Sequence, residues 1–137
     1  MVFRTYTDDV LIDGENTRKF EAAEAILAGQ LVELDAAAGR TVEPSDADGA
    51  LAVGFAIADA AAGQMVAVAT AGCIVRATSA TGTIASGELV ASHGATGEEG
   101  ELDSAAAGDY PIGQALQDDA GANDDVVVLV TGPAGTV

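Results

Sequence analysis

The most reactive side chains in the sequence belong to one histidine and one cysteine. His93 could act as a general base and Cys73 as a nucleophile or a metal ligand. However, His93 lies in the glycine-rich segment ASHGATGEEG, where an exposed loop side chain is the simpler interpretation, and Cys73 opens the apolar run CIVRAT, which is typical of a strand. Two such ligands are too few for a structural zinc site. We therefore expect no catalytic residue, no metal site and no cofactor.

Carboxylates are the only other groups that recur at close spacing. A calcium loop needs oxygen ligands in a fixed order, and SDADGALAVGFA lacks the late glutamate of an EF-hand. GATGEEG lacks the lysine and hydroxyl residue of a phosphate-binding loop. We interpret the carboxylates as solvated loop groups and leave weak cation binding at 118–125 open. The clusters are Asp46/Asp48, Glu98/Glu99/Glu101, Asp118/Asp119 and Asp124/Asp125.

The net charge also indicates which classes of partner the protein can bind. The chain has 22 acidic and 5 basic residues, a net charge of −17 and only one lysine, Lys19, although 49% of its residues are hydrophobic. Self-repulsion of this size is screened over about 10 Å at 0.1 M salt and about 3 Å at 1 M. One interpretation is a protein that is merely acidic, and the other is a protein adapted to concentrated salt, which would point to a halophilic host. In either case the composition argues against nucleic-acid binding, which needs clustered Lys and Arg.

The elements that would carry these residues are short strands. Runs rich in Val, Ile, Leu and Thr alternate with Gly, Asp and Ala turns, which predicts an all-β fold, a small compact barrel or sandwich. We find neither a signal peptide nor an apolar run of the roughly 20 residues that a membrane span requires. The expected strands are 30–34, 40–43, 51–58, 64–70, 73–78, 87–91, 111–117 and 126–131.

The strand pattern occurs twice. Gly29, Gly54 and Gly72 align with Gly87, Gly113 and Gly132, which indicates pseudo-repeats over 29–72 and 87–132. One copy alone would leave open sheet edges and an unburied face. We therefore expect the two copies to close a single β-barrel domain over 21–137.

Residues 1–20 differ from the rest in charge. They carry 4 acidic and 3 basic residues, against 18 and 2 in the remainder. One interpretation is a first strand with a frayed terminus, and the other is an extended N-terminal arm that docks on a partner. Residues 16–28 are equally compatible with helix and with extended chain. The candidate partner-binding residues are Val2, Phe3, Arg4, Tyr6, Arg18, Lys19 and Phe20.

The body of the chain resembles the small Ala/Gly-rich head decoration proteins, or capsid cement proteins, of tailed viruses. In that family a GxxV strand is followed by a VGxA segment, an Ala/Gly turn and a VxVxxxG strand. Gly29–Val32, Val53–Ala56 and Val66–Gly72 match these motifs, and the likeness continues through PIGQAL to VVVLV. The N-terminal arm matches no motif of the family.

The resemblance implies a structural protein without catalytic residues. It implies a compact β-barrel, often a trimer, that binds the major capsid protein on the outer surface of the virion and stabilises the head. The acidity of this chain would suit a virus of a halophilic archaeon. The rival interpretation is a cellular β-barrel module that binds a carbohydrate or a protein.

Overall fold

The computed structural model describes residues 10–35 and 39–132. Within these residues every regular element is a β-strand, which confirms the all-β prediction. The strands are β1 (Leu11–Asp13), β2 (Thr17–Ala22), β3 (Leu31–Leu34), β4 (Thr41–Pro44), β5 (Gly54–Ala56), β6 (Met65–Ala69), β7 (Ile74–Ser79), β8 (Leu89–Ser92), β9 (Leu102–Ser104), β10 (Gly113–Ala115) and β11 (Asp124–Val130).

The first half of the chain closes a five-stranded barrel by itself. Its strand order is β2-β4-β3-β5-β6, and β6 pairs back with β2. The β2–β4 pair is parallel and the other pairs are antiparallel. Closure removes the sheet edges that strands of three to six residues would otherwise leave open.

The second half repeats this topology strand for strand. β7, β11, β10, β8 and β9 follow one another in the sheet, and a parallel pairing of β7 with β9, at Ser79 and Leu102, completes the circuit. β1 adds to the outside of β7 in antiparallel fashion. β2 to β6 therefore correspond in order to β7 to β11.

Equivalent backbone hydrogen bonds extend the repeat to individual residues. The Gly29 N–H donates to the Ala56 carbonyl over 2.8 Å, and the Gly87 N–H donates to the Ala115 carbonyl over the same distance. Gly54 and Gly113 lie where the neighbouring strand leaves no room for a side chain, since a Cβ on either would collide with a backbone carbonyl of β6 or β11. The aligned glycines of the sequence are thus structurally equivalent.

The structure contains two barrels where the sequence suggested one shared barrel. The reason is β2, which lies partly in the expected arm and, like β9, was not among the predicted strands. β1 agrees with the interpretation that residues 1–20 contain a first strand. Without β2 the first copy has four strands and an open edge, but with β2 it closes on itself. The structural repeat units are therefore 17–69 and 74–130.

The described part of the expected arm, residues 10–20, is built into these sheets. Val10 is 2% exposed and its carbonyl accepts a hydrogen bond from the Arg76 N–H over 2.7 Å. Residues 11–13 form β1, and β2 begins at Thr17. Of residues 16–28, those up to Ala22 are extended, and the remainder forms turns and an isolated bridge between Ile26 and Ala60.

Two apolar clusters form the core. One fills the first barrel with small side chains, including Val32, Val42 and Val68. The other fills the second barrel and also takes in Leu31, Phe55 and Ala69 from the first. Since side chains alternate along a strand, these three residues lie on the outside of the first barrel, where they pack against the second barrel. The two barrels therefore share a buried interface.

Candidate functional site

An open groove lies at one end of the first barrel. We call it the mouth groove. It has a volume of about 520 Å³ and is lined by, among others, Arg18, Phe20, Leu34, Leu51, Val53 and Thr70. Arg18, Leu34, Val53 and Thr70 lie at or next to the ends of β2, β3, β5 and β6 that meet at one edge of the barrel. A mainly apolar groove of this size is a surface suited to a partner.

The mouth groove contains two of the predicted partner-binding residues. Arg18 and Phe20 are two positions apart on β2 and share one face of the strand, with Phe20 packed against the core of the first barrel. Lys19 lies on the opposite face of the strand and is exposed. Val2, Phe3, Arg4 and Tyr6 lie outside the described residues, so their assignment stays a prediction.

Two leucines dominate the mouth groove, and the sequence analysis did not single them out. Leu34 and Leu51 are each 54% exposed. Leu34 has the same alternation as the buried Val32, so the pattern alone places it in the core. Its exposure follows from its position as the last residue of β3, at the open end of the barrel. An alignment of the two repeats offers the only sequence signal, since Ser92 and Tyr110 replace Leu34 and Leu51 in the second copy.

His93 is more constrained than a free loop side chain. It is half-buried, with Nε2 3.2 Å from a Glu98 carboxylate oxygen and Nδ1 3.4 Å from one of Asp103. Only the doubly protonated imidazolium can donate to both carboxylates. Asp103 also accepts a hydrogen bond from the Thr81 hydroxyl over 3.2 Å. The cluster ties the loop before β9 to the second barrel, and we assign it a structural role.

Glu101 lies beside this cluster and is 2% exposed. Its Oε1 atom is buried and has no hydrogen-bond partner within the described structure. Burial raises the pKa of this carboxyl, and the nearby charge of Glu98 raises it further. The ionised form of Glu101 is therefore costly to the folded state.

Three further carboxylates converge on the outside of the first barrel. Glu33 and Glu43 are directly opposite each other on β3 and β4, and together with Asp46 their oxygens lie within 4.8 Å of one another. Burial raises the pKa of Glu43, with added repulsion from Asp35, Asp46 and Glu33. Like charges at opposite positions of a strand pair are destabilising, and dissolved cations screen them.

The acidic residues at 118–119 serve as hydrogen-bond acceptors within turns. Asp119 Oδ2 accepts from the Ser79 hydroxyl over 2.7 Å and from the Ile84 N–H over 2.9 Å. Asp118 Oδ1 accepts from the Ser86 N–H over 2.8 Å, as Asp59 does from the Ala28 N–H in the first repeat. These contacts give the two aspartates a role in the fold.

Cys73 lies in the core, as its position in an apolar run indicated. It is 0% exposed, so its thiol packs as a small apolar group. His93 is held by carboxylates and Cys73 is enclosed, and among the described residues we see no nucleophile beside a base. No helix in the described ranges is long and apolar enough to cross a membrane.

The two closed barrels and the apolar mouth groove offer contact surfaces to a partner. Residues 12–131, which include both barrels, match the family of phage cement proteins. The chain therefore belongs to the phage cement protein family, and its function is a structural one, binding to a phage capsid.

A solved structure gives the same fold. The N base of the head fiber protein gp8.5 of bacteriophage phi29 is similar with a TM-score of 0.62, over 87% of this chain and 97% of that chain, at 14% sequence identity. At this identity the likeness concerns the fold. No curated protein sequence matches the chain. Neither likeness supports the expected archaeal host, which stays a prediction from charge.

Proposed function

We propose that this protein binds the outer surface of a viral head, contacts the major capsid protein there and stabilises the shell without catalysing a reaction. The observation that carries the proposal is the match to phage cement proteins over residues 12–131. A rigid pair of barrels with an apolar groove suits such a role, because a cement protein needs contact surfaces rather than a reaction centre. The rival carbohydrate-binding module has less support, since Phe20 is the one aromatic residue among the described residues that line the mouth groove.

We propose that the N-terminal residues before Val10 bind the capsid. Val2, Phe3, Arg4 and Tyr6 are apolar, aromatic or cationic, and such residues dominate binding energies at protein interfaces. They precede a body in which acidic residues greatly outnumber basic ones, so their segment carries less of the repulsive charge. Lys19 adds an exposed cation nearby in sequence. The host we propose is halophilic, and the protein acts there as a homo-oligomer, a trimer.

Co-sedimentation with capsids that lack the protein tests this assignment. Deletion of residues 1–9 leaves Val10 and β1 in place, whereas a longer deletion would remove a core residue. We expect this variant to fold as the wild type does and to lose capsid binding. The triple variant Phe3→Ser, Arg4→Ser, Tyr6→Ser should bind as weakly as the deletion.

The matched control is Met65→Ser, which removes a large apolar side chain that is 58% exposed on the body. It should bind capsids as the wild type does. Full binding by the deletion variant would refute the role of the N-terminal residues. Absence of binding by the wild type, at any salt concentration that keeps it folded, would refute the proposed function.

A further inference from the structure

The two barrels differ at one end. This end is open to solvent in the first barrel and covered in the second. Arg18 pairs with Val68 on the first barrel, and Val75 pairs with Val128 at the matching place on the second, so Arg18 and Val75 are equivalent. Val75 is 0% exposed and also pairs with Leu11 of β1, whereas Arg18 is exposed and has no strand equivalent to β1 beside it within the described residues. The same end of the barrel is therefore buried in one copy and open in the other.

Polar contacts from the first barrel lie across this end of the second. Ser92 is equivalent to Leu34, and its hydroxyl lies 2.8 Å from the Ser45 hydroxyl. The Gly49 N–H donates to the Ser92 carbonyl over 2.8 Å. The Tyr110 N–H, at the position equivalent to Leu51, donates to the Gly49 carbonyl over 3.0 Å. The loop between β4 and β5 thus seals the positions that correspond to the two exposed leucines.

The apolar part of the seal is a row of three side chains on the outside of the first barrel. Leu31 pairs with Phe55, and Phe55 pairs with Ala69, so the three lie side by side across β3, β5 and β6. Each is 0% exposed and belongs to the cluster that fills the second barrel. We call these residues the inner row.

The second barrel has the same row, and the described chain does not bury it. Leu89 pairs with Gln114, and Gln114 pairs with Leu129, in the register of the inner row. We call these three residues the outer row. Leu89 is 44% exposed, and the other two are half-buried.

The loop that follows β9 lies beside the outer row. It is fixed there by the same backbone hydrogen bond that fixes the loop after β4 in the first barrel. The Ala105 N–H donates to the Leu89 carbonyl over 2.9 Å, as the Ser45 N–H does to the Leu31 carbonyl over 2.9 Å. The second barrel therefore carries on its surface the same arrangement of row and loop with which the first barrel covers the end of the second.

We propose that a second copy of this chain occupies the mouth groove, with its outer row placed as the inner row is placed on the second barrel. One copy then offers an open barrel end and the next offers the face that closes it. Leu34 and Leu51 would be buried against the outer row and the loop between β9 and β10. Arg18 would meet a barrel whose residues 73–132 include ten acidic residues and one basic residue.

Such a contact joins two different surfaces, so it is heterologous and closes into a ring or continues as a filament, depending on its rotation. A ring of three is the form that agrees with the proposed trimer. The inference concerns contacts between copies and needs no capsid, so its test can fail while capsid binding holds, and the reverse.

Two charge insertions on the two surfaces test the proposal in the full-length chain. Leu51→Glu alters the mouth groove and Leu89→Glu alters the outer row, and both side chains are exposed enough for the barrels to fold. Met65→Glu is the matched control, because Met65 is 58% exposed and lies on neither surface. Sedimentation velocity in concentrated salt gives the mass of each species.

We expect the wild type and Met65→Glu to associate, and each of the other two variants to sediment as a monomer. Mixing the two monomeric variants should give a one-to-one dimer and nothing larger, since the mixture has one intact pair of surfaces. A circular dichroism spectrum like that of the wild type excludes misfolding as the cause.

Three outcomes would overturn the proposal. A wild type that stays monomeric would show that no second copy fills the groove, and loss of capsid binding by Leu51→Glu would then identify the capsid as the occupant. Normal association of Leu89→Glu would show that the outer row takes no part. Finally, the deletion of residues 1–9 could make the protein dissociate while Leu89→Glu still associates. This result would show that the N-terminal residues occupy the mouth groove.

Discussion

Replacing Gly113 by alanine tests whether the aligned glycines exist to let strands approach closely. A Cβ built on Gly113 would lie 2.5 Å from the Leu129 carbonyl oxygen and 2.7 Å from a Val128 methyl carbon. Real Cβ contacts are essentially never shorter than 3.0 Å. Val128 is 0% exposed, and the carbonyl belongs to the paired backbone of β11, so neither neighbour can move away cheaply.

The expected cost follows from this geometry. β10 would have to shift by about 0.5 Å or more, and overpacking of this kind costs roughly 1–3 kcal/mol. Stretching the adjoining backbone hydrogen bond between β10 and β11 adds about 1 kcal/mol. A total of roughly 2–4 kcal/mol corresponds to a fall in melting temperature of roughly 5–15 °C for a chain of this size. Gly54→Ala should cost at least as much, because its added Cβ would lie even closer to the Ala69 carbonyl oxygen.

Thermal unfolding followed by circular dichroism, at one fixed salt concentration, measures these changes. The matched control is Gly39→Ala, since a Cβ there meets no atom of the described residues within 4 Å and the backbone is not left-handed. It makes the same chemical change and removes the same freedom from the unfolded chain, so it should be neutral or stabilise by roughly 0.4–1 kcal/mol. If Gly113→Ala melted within about 2 °C of Gly39→Ala, the close-approach explanation would be refuted.

Three further predictions concern charge and burial. The net charge of −17 should make the free energy of unfolding rise with salt concentration, and denaturant titrations that show a constant or falling value would contradict this. Because burial raises the pKa of Glu101, the folded state binds more protons than the unfolded state as pH rises from about 4.5, and stability falls through that window. Glu101→Gln should remove this part of the fall in stability, because the amide does not ionise, and a pH dependence in urea titrations unchanged from the wild type would contradict this. Cys73 should react with a thiol reagent only as fast as the protein unfolds, and rapid labelling of the native protein would show that it is accessible.

The fold class and the repeat could be predicted because both depend on local patterns. Strands such as β6 and β11 alternate apolar and other residues, and their predicted bounds, 64–70 and 126–131, agree with Met65–Ala69 and Asp124–Val130 to within two residues. The aligned glycines mark turns and close approaches, which are also local. Side-chain period and turn chemistry are thus sufficient for the all-β assignment.

The number of barrels could not be predicted, because closure depends on pairings between distant segments. The sequence TRKFEA of β2 has charged residues at neighbouring positions, so it lacks the alternation of a half-buried strand. Its strand structure comes from pairing with β6 on one side and with β4 on the other. The LDS segment of β9 is too short for any pattern, yet it closes the second barrel through Leu102.

The candidate site was predictable only in part, for a related reason. Arg18 and Phe20 were identified by residue type, but their joint position in a groove depends on β2 being a barrel strand. Leu34 and Leu51 have the composition of core residues, and only the missing neighbour at the barrel end exposes them. Exposure of this kind is a property of the assembled fold.

A duplicated barrel has a consequence that a single barrel lacks. In this chain the side of the first barrel packs against the end of the second barrel. The end of the first barrel and the side of the second barrel therefore stay on the surface. In this chain the remaining end holds Leu34 and Leu51, and the remaining face holds Leu89. Large exposed leucines cost solubility, and concentrated salt strengthens the apolar attraction between them while it screens the repulsion of the acidic surface. Concentrated salt, the medium that we propose for this protein, would therefore favour contact between copies. An alternative explanation of the exposed leucines must account for their occurrence at the two places that the repeat leaves unpaired.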